Sequence, residues 1–167
     1  MPDASEAPTI KDSNQATPDV IESAPTAEET ISGPSEYEVM RTNSIAKKNR
    51  AIQTKLEKVI SYTKQTMVAY MSEEDLNRLC TYVAEYSSGD TLQKITPVKV
   101  DSQLKSIDIM HFGWNIGKAF GIKRIHTATF IKNVFAHTLR DLEISTIERK
   151  MSHTESECYI KLQQLKE

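Results

Sequence analysis

The sequence predicts an all-α protein, a small bundle of about five helices behind a disordered acidic N-terminal tail. Three observations carry this expectation. Apolar residues after residue 42 recur at intervals of three and four, the signature of helices with one buried face. Residues that start and stop helices punctuate those periodic stretches. Charge and proline are segregated: residues 1–40 hold nine acids, one base (Lys11) and five of the six prolines, whereas residues 41–167 hold 20 bases and 14 acids. A formal net charge of −2 over 167 residues thus conceals a tail of −8 and a body of +6. The expected division is a tail at 1–40 and a helical domain at 41–167, enough chain for one ordinary core.

Several classes drop out. The chain has no run of 18 apolar residues, as a spanning helix requires. Met1-Pro2-Asp3-Ala4-Ser5-Glu6 has neither the basic start nor the apolar stretch of a secretory signal. Cys80 and Cys158 are far apart, so thiols in a reducing compartment are expected, and with them a cytoplasmic location. No period of 20–50 residues repeats.

In chain order, Pro2, Pro8, Pro18, Pro25 and Pro34 interrupt any helix in the tail, and Ile10, Val20, Ile21 and Ile31 are too few to offset the entropy of ordering it. The tail reads as a solubilising leader or as an internal phosphate mimic that screens a basic surface. From Asn43 to Tyr70, Ile45, Ile52, Leu56, Val59, Thr63, Met67 and Tyr70 fall within roughly 80° of helical arc, with Lys47, Arg50 and Lys58 opposite. Residues 41–64 carry seven bases and only Glu57 as an acid, which suits either a solvated face or an anion-contacting one. Ser72, followed by Glu73, Glu74 and Asp75, signals a second helix start, with Leu76, Leu79, Cys80 and Val83 as its inner stripe and Ser87-Ser88-Gly89 as its end. Residues 90–100, around Pro97, fit a short edge strand or a connecting loop.

A third helix is expected from about Asp101 to Phe120, its apolar residues covering roughly 220° of the circumference and leaving a narrow polar strip of Asp108, His111, Asn115 and Lys118. Gly113 and Gly117, four apart on the apolar arc, invite a close neighbour. Trp114 reads as core or as a platform on which a base stacks. A fourth helix is expected from Thr127 to Leu139, with Phe130, Ile131, Val134, Phe135 and Thr138 inward and Lys132, Asn133, His137 and Arg140 outward. After a five-residue turn, Ser145-Thr146-Ile147-Glu148 matches a capping box, with Ile144, Ile147 and Met151 inward. Cys158, Leu162 and Leu165 suggest a last helix from Thr154.

The pair 127–139 and 145–152 resembles a helix-turn-helix, and the string Ser145-Thr146-Ile147-Glu148-Arg149-Lys150-Met151 is similar to the recognition helix of such regulators. The resemblance covers about 26 residues (127–152). It implies DNA binding, with the second helix at the major groove. Ser145, Thr146, Arg149 and Lys150 are then expected to meet bases or backbone, and Lys123, Arg124 and Lys132 to neutralise phosphates. Residues 111–151 hold seven bases and three acids.

No catalytic constellation is apparent, and the chain is not expected to be an enzyme. His126 and His137 are 11 residues apart, about 16 Å along a helix and too far to share one metal. Ser145 and Cys158 lie in no nucleophile motif, and no phosphate-binding glycine loop or paired zinc-ligand spacing occurs, so neither cofactor nor metal is expected. The expectation is a DNA-binding regulator or accessory factor, in the style of a bacterial mobile element or phage. The alternative is a helical interaction protein whose 43–70 helix pairs with another protein or a second copy of itself.

Overall fold

A computed structural model describes residues 33–90, 92–154 and 157–165, and among them there are five helices and no strand. These are α1 (Glu36–Met67), α2 (Glu73–Ser87), α3 (Ser106–Phe120), α4 (Arg124–Val134) and α5 (Ile144–Lys150). The all-α class holds, and no described helix is long and apolar enough to cross a membrane. The chain divides into two compact units, Met1–Lys47 and Lys48–Glu167.

Most of the acidic leader, residues 1–32, lies outside the described residues. Within the first unit the helix begins seven residues earlier than periodicity predicts. Ser35 and Glu38 form a capping box: the Ser35 hydroxyl accepts from Glu38 N at 3.1 Å, and the Glu38 carboxylate accepts from Ser35 N at 2.8 Å. Two otherwise orphaned amides are satisfied, so residues 36–40 are helix and not tail. Tyr37, Met40 and Ile45 are 70%, 63% and 44% exposed.

In the second unit, the α1 stripe is buried only from Val59 onward, with Thr63 and Met67; Ile52 remains 56% exposed. Ser72 caps α2 as expected, accepting from Asp75 N at 3.1 Å, and Leu79 and Val83 are fully buried beside Tyr82 and Tyr86. Residues 92–105 form a loop and not an edge strand. Its amides are used one by one: Val98 N donates to Val134 O (2.9 Å), Asp101 N to Tyr70 O (2.7 Å) and Thr96 N to the Tyr82 hydroxyl (2.9 Å).

The central helix, α3, starts at Ser106 because Lys105 N donates to the Asp108 carboxylate at 2.9 Å, which sets the first turn there and not at Asp101. It ends at Gly121, whose φ of 70° supplies the left-handed residue that lets Ile122 N reach back to Gly117 O at 2.9 Å. Gly117 is also where α4 comes closest. A β-carbon there would stand 2.5 Å from Thr127 Oγ1 and 3.2 Å from the Tyr86 hydroxyl. At Gly113 it would stand 2.9 Å from Ile131 Cγ2.

Helix α4 runs three residues earlier than expected at its start and stops at Val134, well before Leu139. The Lys132 ammonium explains the stop. It donates to the carbonyls of Leu139 (2.8 Å), Arg140 (3.1 Å) and Leu142 (2.7 Å), winding the chain after Phe135 into turns. Helix α5 starts at Ile144 behind Glu143, so Ser145 lies inside the helix and its predicted capping box is absent. Ile147 and Met151 are buried as predicted.

The largest departure is the C-terminal segment, which is no helix among its described residues. It lies extended against α3, where Asp108, His111 and Asn115 are buried and engage its main chain. Asp108 Oδ1 accepts from Tyr159 N (2.6 Å) and Ile160 N (3.0 Å). The His111 ring nitrogens lie 2.8 Å from Ile160 O and 2.6 Å from His153 O. Asn115 donates to Lys161 O and accepts from Gln163 N, both at 2.8 Å. Spaced at about one helical turn, the strip predicted to stay polar is the seat of a strap, and side-chain partners for extended backbone outcompete a terminal helix. Cys158 and Ile160 point inward between exposed Glu157, Tyr159 and Lys161, the alternation of an extended chain with one buried side.

Candidate nucleic-acid interface

The C-terminal end of α3, the turn at Gly121 and the start of α4 enclose a cleft of about 350 Å³, lined by Trp114, Gly117, Lys118, Gly121, Ile122, Lys123, Arg124, Thr127 and Met151. The lining carries three cations and no carboxylate. Trp114 is half-buried in the wall; the Lys118 ammonium sits 5.3 Å and the Arg124 guanidinium 5.0 Å from the centre of its ring. Both distances lie within cation–π range. The helical offset of four between Trp114 and Lys118 places them one turn apart on α3, and Gly121 turns the chain so that Lys123 and Arg124 arrive beside them.

The predicted site residues divide into two groups. Lys123, at the N-cap of α4, is exposed, as are Ser145, Arg149 and Lys150 on α5; Thr146 is half-buried. Arg124 and Lys132 are engaged within the fold. Arg124 donates to the carbonyls of Glu148 and Arg149, the latter at 3.4 Å, and so caps the C-terminal end of α5. Lys132 holds the three carbonyls of the turn after α4. The Lys132 ammonium spends its three N–H donors on those carbonyls and meets a phosphate only by giving one up, whereas the Arg124 bonds use Nη2 alone and leave the Nε and Nη1 donors of the guanidinium outside them. Because Arg124 both lines the cleft and binds the end of α5, it ties the cleft to the helix that carries Arg149 and Lys150.

No family model, curated protein or solved structure matches this chain.

Helices α4 and α5 do pack against one another. The connection between them nevertheless runs from Phe135 through Glu143, longer than the three or four residues of a helix-turn-helix turn, and α5 has only seven residues. Lys118 is the cation of this cleft that the sequence reading did not place in a site, and Trp114 entered that reading only as the alternative to a core residue, a platform on which a base stacks. The signal available was their spacing, a cation one turn from the chain's single tryptophan.

Elsewhere, a second cleft of about 330 Å³ lies around Tyr86, Leu92, Ile95, Phe130 and Asn133, with Tyr86, Asp90 and His126 as its titratable groups. His126, His137 and His153 are exposed, whereas His111 is used by the strap. Among the described residues no group of three or more His, Cys, Asp or Glu stands together to hold a metal. Cys80 is half-buried; burial pushes its thiol up, opposed by the nearby charge of Lys64.

Proposed function

We propose that the chain is a non-enzymatic DNA-binding protein, a regulator or accessory factor, whose contact surface is the Trp114 cleft with the exposed bases Lys123, Arg149 and Lys150. The observation that carries this reading is the acid-free, three-cation lining of the cleft. A concave surface of one charge sign concentrates field and draws a polyanion, and each phosphate neutralised releases counterions. The test is a titration of labelled random-sequence DNA, single-stranded and duplex, across a salt series. Affinity should fall linearly on a log–log plot, with about 0.7–0.9 of slope for each phosphate contacted. Lys123→Ala, and Arg149→Ala with Lys150→Ala, should weaken binding and flatten that slope. Absence of binding at low salt would sink the proposal.

A second reading has its own support in the first unit, where Tyr37, Met40 and Ile45 of α1 are 70%, 63% and 44% exposed. Such a face suits a partner helix. Sedimentation would favour it if mass rose with concentration while DNA affinity was absent.

A further inference from the structure

We propose that the Trp114 cleft takes one unpaired nucleotide, its base against the indole and its flanking phosphates at Lys118 and Lys123, so that the preferred ligand is single-stranded nucleic acid. This rests on the reading of the cleft as a nucleic-acid surface and narrows it to a substrate class.

Three features of the cleft favour a single strand. The indole is recessed: Trp114 is half-buried in the wall of a concavity of about 350 Å³, within the size range of ligand clefts. Bases of a duplex are stacked and paired inside the helix and cannot enter such a recess, whereas an unpaired base can leave the strand and stack on an aromatic face. The two cations on the ring also differ in freedom. Arg124 is tied to the Glu148 and Arg149 carbonyls and stays where it is. Lys118 is exposed on the last turn of α3 and rests on the indole, so a base can displace it and its flexible stem can follow the phosphate. Finally, the elements that would read a duplex are slight: α5 offers two turns, and the chain leading to it winds through turns from Phe135 to Glu143.

Base stacking on an aromatic is worth about 1–3 kcal/mol, a factor of roughly 5–150 in affinity. Trp114 is the only tryptophan in the chain, so its emission reports the cleft directly. The experiment follows anisotropy of a short labelled oligothymidylate and Trp114 emission together, using the full chain. The same strand paired with its complement and heparin, a polyanion without bases, are run in parallel. The expected result is that emission is quenched in step with anisotropy for the single strand, that the duplex binds at least about fivefold more weakly, and that heparin competes without quenching. Trp114→Ala should cost roughly 5–150-fold, Trp114→Phe less, and Lys118→Ala should weaken binding while the indole is still quenched. Anisotropy that rises with no change in emission, or a duplex bound as tightly as the single strand, overturns the stacking proposal and leaves DNA binding standing. No anisotropy change with either DNA defeats the broader reading as well.

Discussion

Replacing Asp108 by alanine tests whether the polar row on α3, and not apolar burial alone, seats the C-terminal strap. The carboxylate is fully buried and accepts three amides: Lys105 N at 2.9 Å, Tyr159 N at 2.6 Å and Ile160 N at 3.0 Å. Lys105 is exposed, so its amide can turn to water; Ile160 is 4% exposed, so its amide cannot while the strap stays in place. A buried donor left without a partner costs about 1–3 kcal/mol, and bonds to a charged acceptor sit in the upper part of that range. The buried Ile160 amide therefore sets a loss of about 1–3 kcal/mol if the strap holds, and the part-exposed Tyr159 amide adds less. A strap that lets go regains water for both, so the loss saturates at the free energy of seating it, and opening becomes local. We expect urea unfolding to show a loss of about 1–3 kcal/mol. Amide exchange should accelerate by about 100-fold at Tyr159, Ile160 and Gln163, and by less at the buried turns of α2 and α4. Asp108→Asn keeps an oxygen for the two strap amides and turns an NH₂ toward Lys105 N, so it should cost only about 1 kcal/mol. Strap amides that exchange no faster in Asp108→Ala than in the native chain would refute the account.

Gly117→Ala should destabilise by about 1–3 kcal/mol despite a gain of about 1 kcal/mol in helix propensity, because the new methyl would stand 2.5 Å from Thr127 Oγ1; unchanged thermal unfolding would show that α4 can yield. Lys132→Met removes the donor to three carbonyls and should cost about 2 kcal/mol while leaving the salt slope of DNA binding as it was; a flatter slope would return Lys132 to the phosphate contacts. Burial pushes the Tyr86 hydroxyl up to about 12, against a hydrogen bond with Thr127 that pulls the other way, from an ordinary value of 10.0. A phenol favoured neutral in the fold contributes stability that is present below pH 10 and lost as pH rises toward 12, on the order of 2 kcal/mol. Tyr86→Phe should therefore show a smaller loss than the native chain between those values, and equal urea midpoints shifts in the two proteins would count against it.

Local chemistry was legible in the chain, and long-range pairing was not. Ser72 with its three following acids, and Gly121 after the α3 stripe, mark helix ends where the chain places them, because a cap acts over three or four residues. Ser35-Glu36-Tyr37-Glu38 is the same kind of signal, obscured by a tail composition that argues for disorder up to its edge. The strap shows the opposite case. Helical periodicity groups Asp108, His111 and Asn115 on one strip but is silent about what covers it, and the partners lie some 50 positions away, Tyr159 being 51 residues from Asp108. Cys158, Leu162 and Leu165 have helical spacing, yet Cys158 and Ile160 are buried with Tyr159 exposed between them, so the operative period is two.

The basic residues carry the same lesson into function, because a count of positive charge is not a count of available donors. Lys132 looked like a phosphate contact from its place on an outward face, and Arg124 from the positive charge of residues 111–151, but main-chain carbonyls at helix ends and turns compete for cations on equal chemical terms with phosphate oxygens. Lys132 is spent on stopping α4, and Arg124 on joining the cleft to α5. Lys118, Lys123, Arg149 and Lys150 stay exposed. The engaged pair and the exposed four are therefore complementary: Arg124 holds the end of α5, from which Arg149 and Lys150 project, and Lys132 holds the turn that leads to it. That division predicts opposite signatures, stability loss with an unchanged salt slope at Lys132, and salt-slope loss with unchanged stability at Lys123.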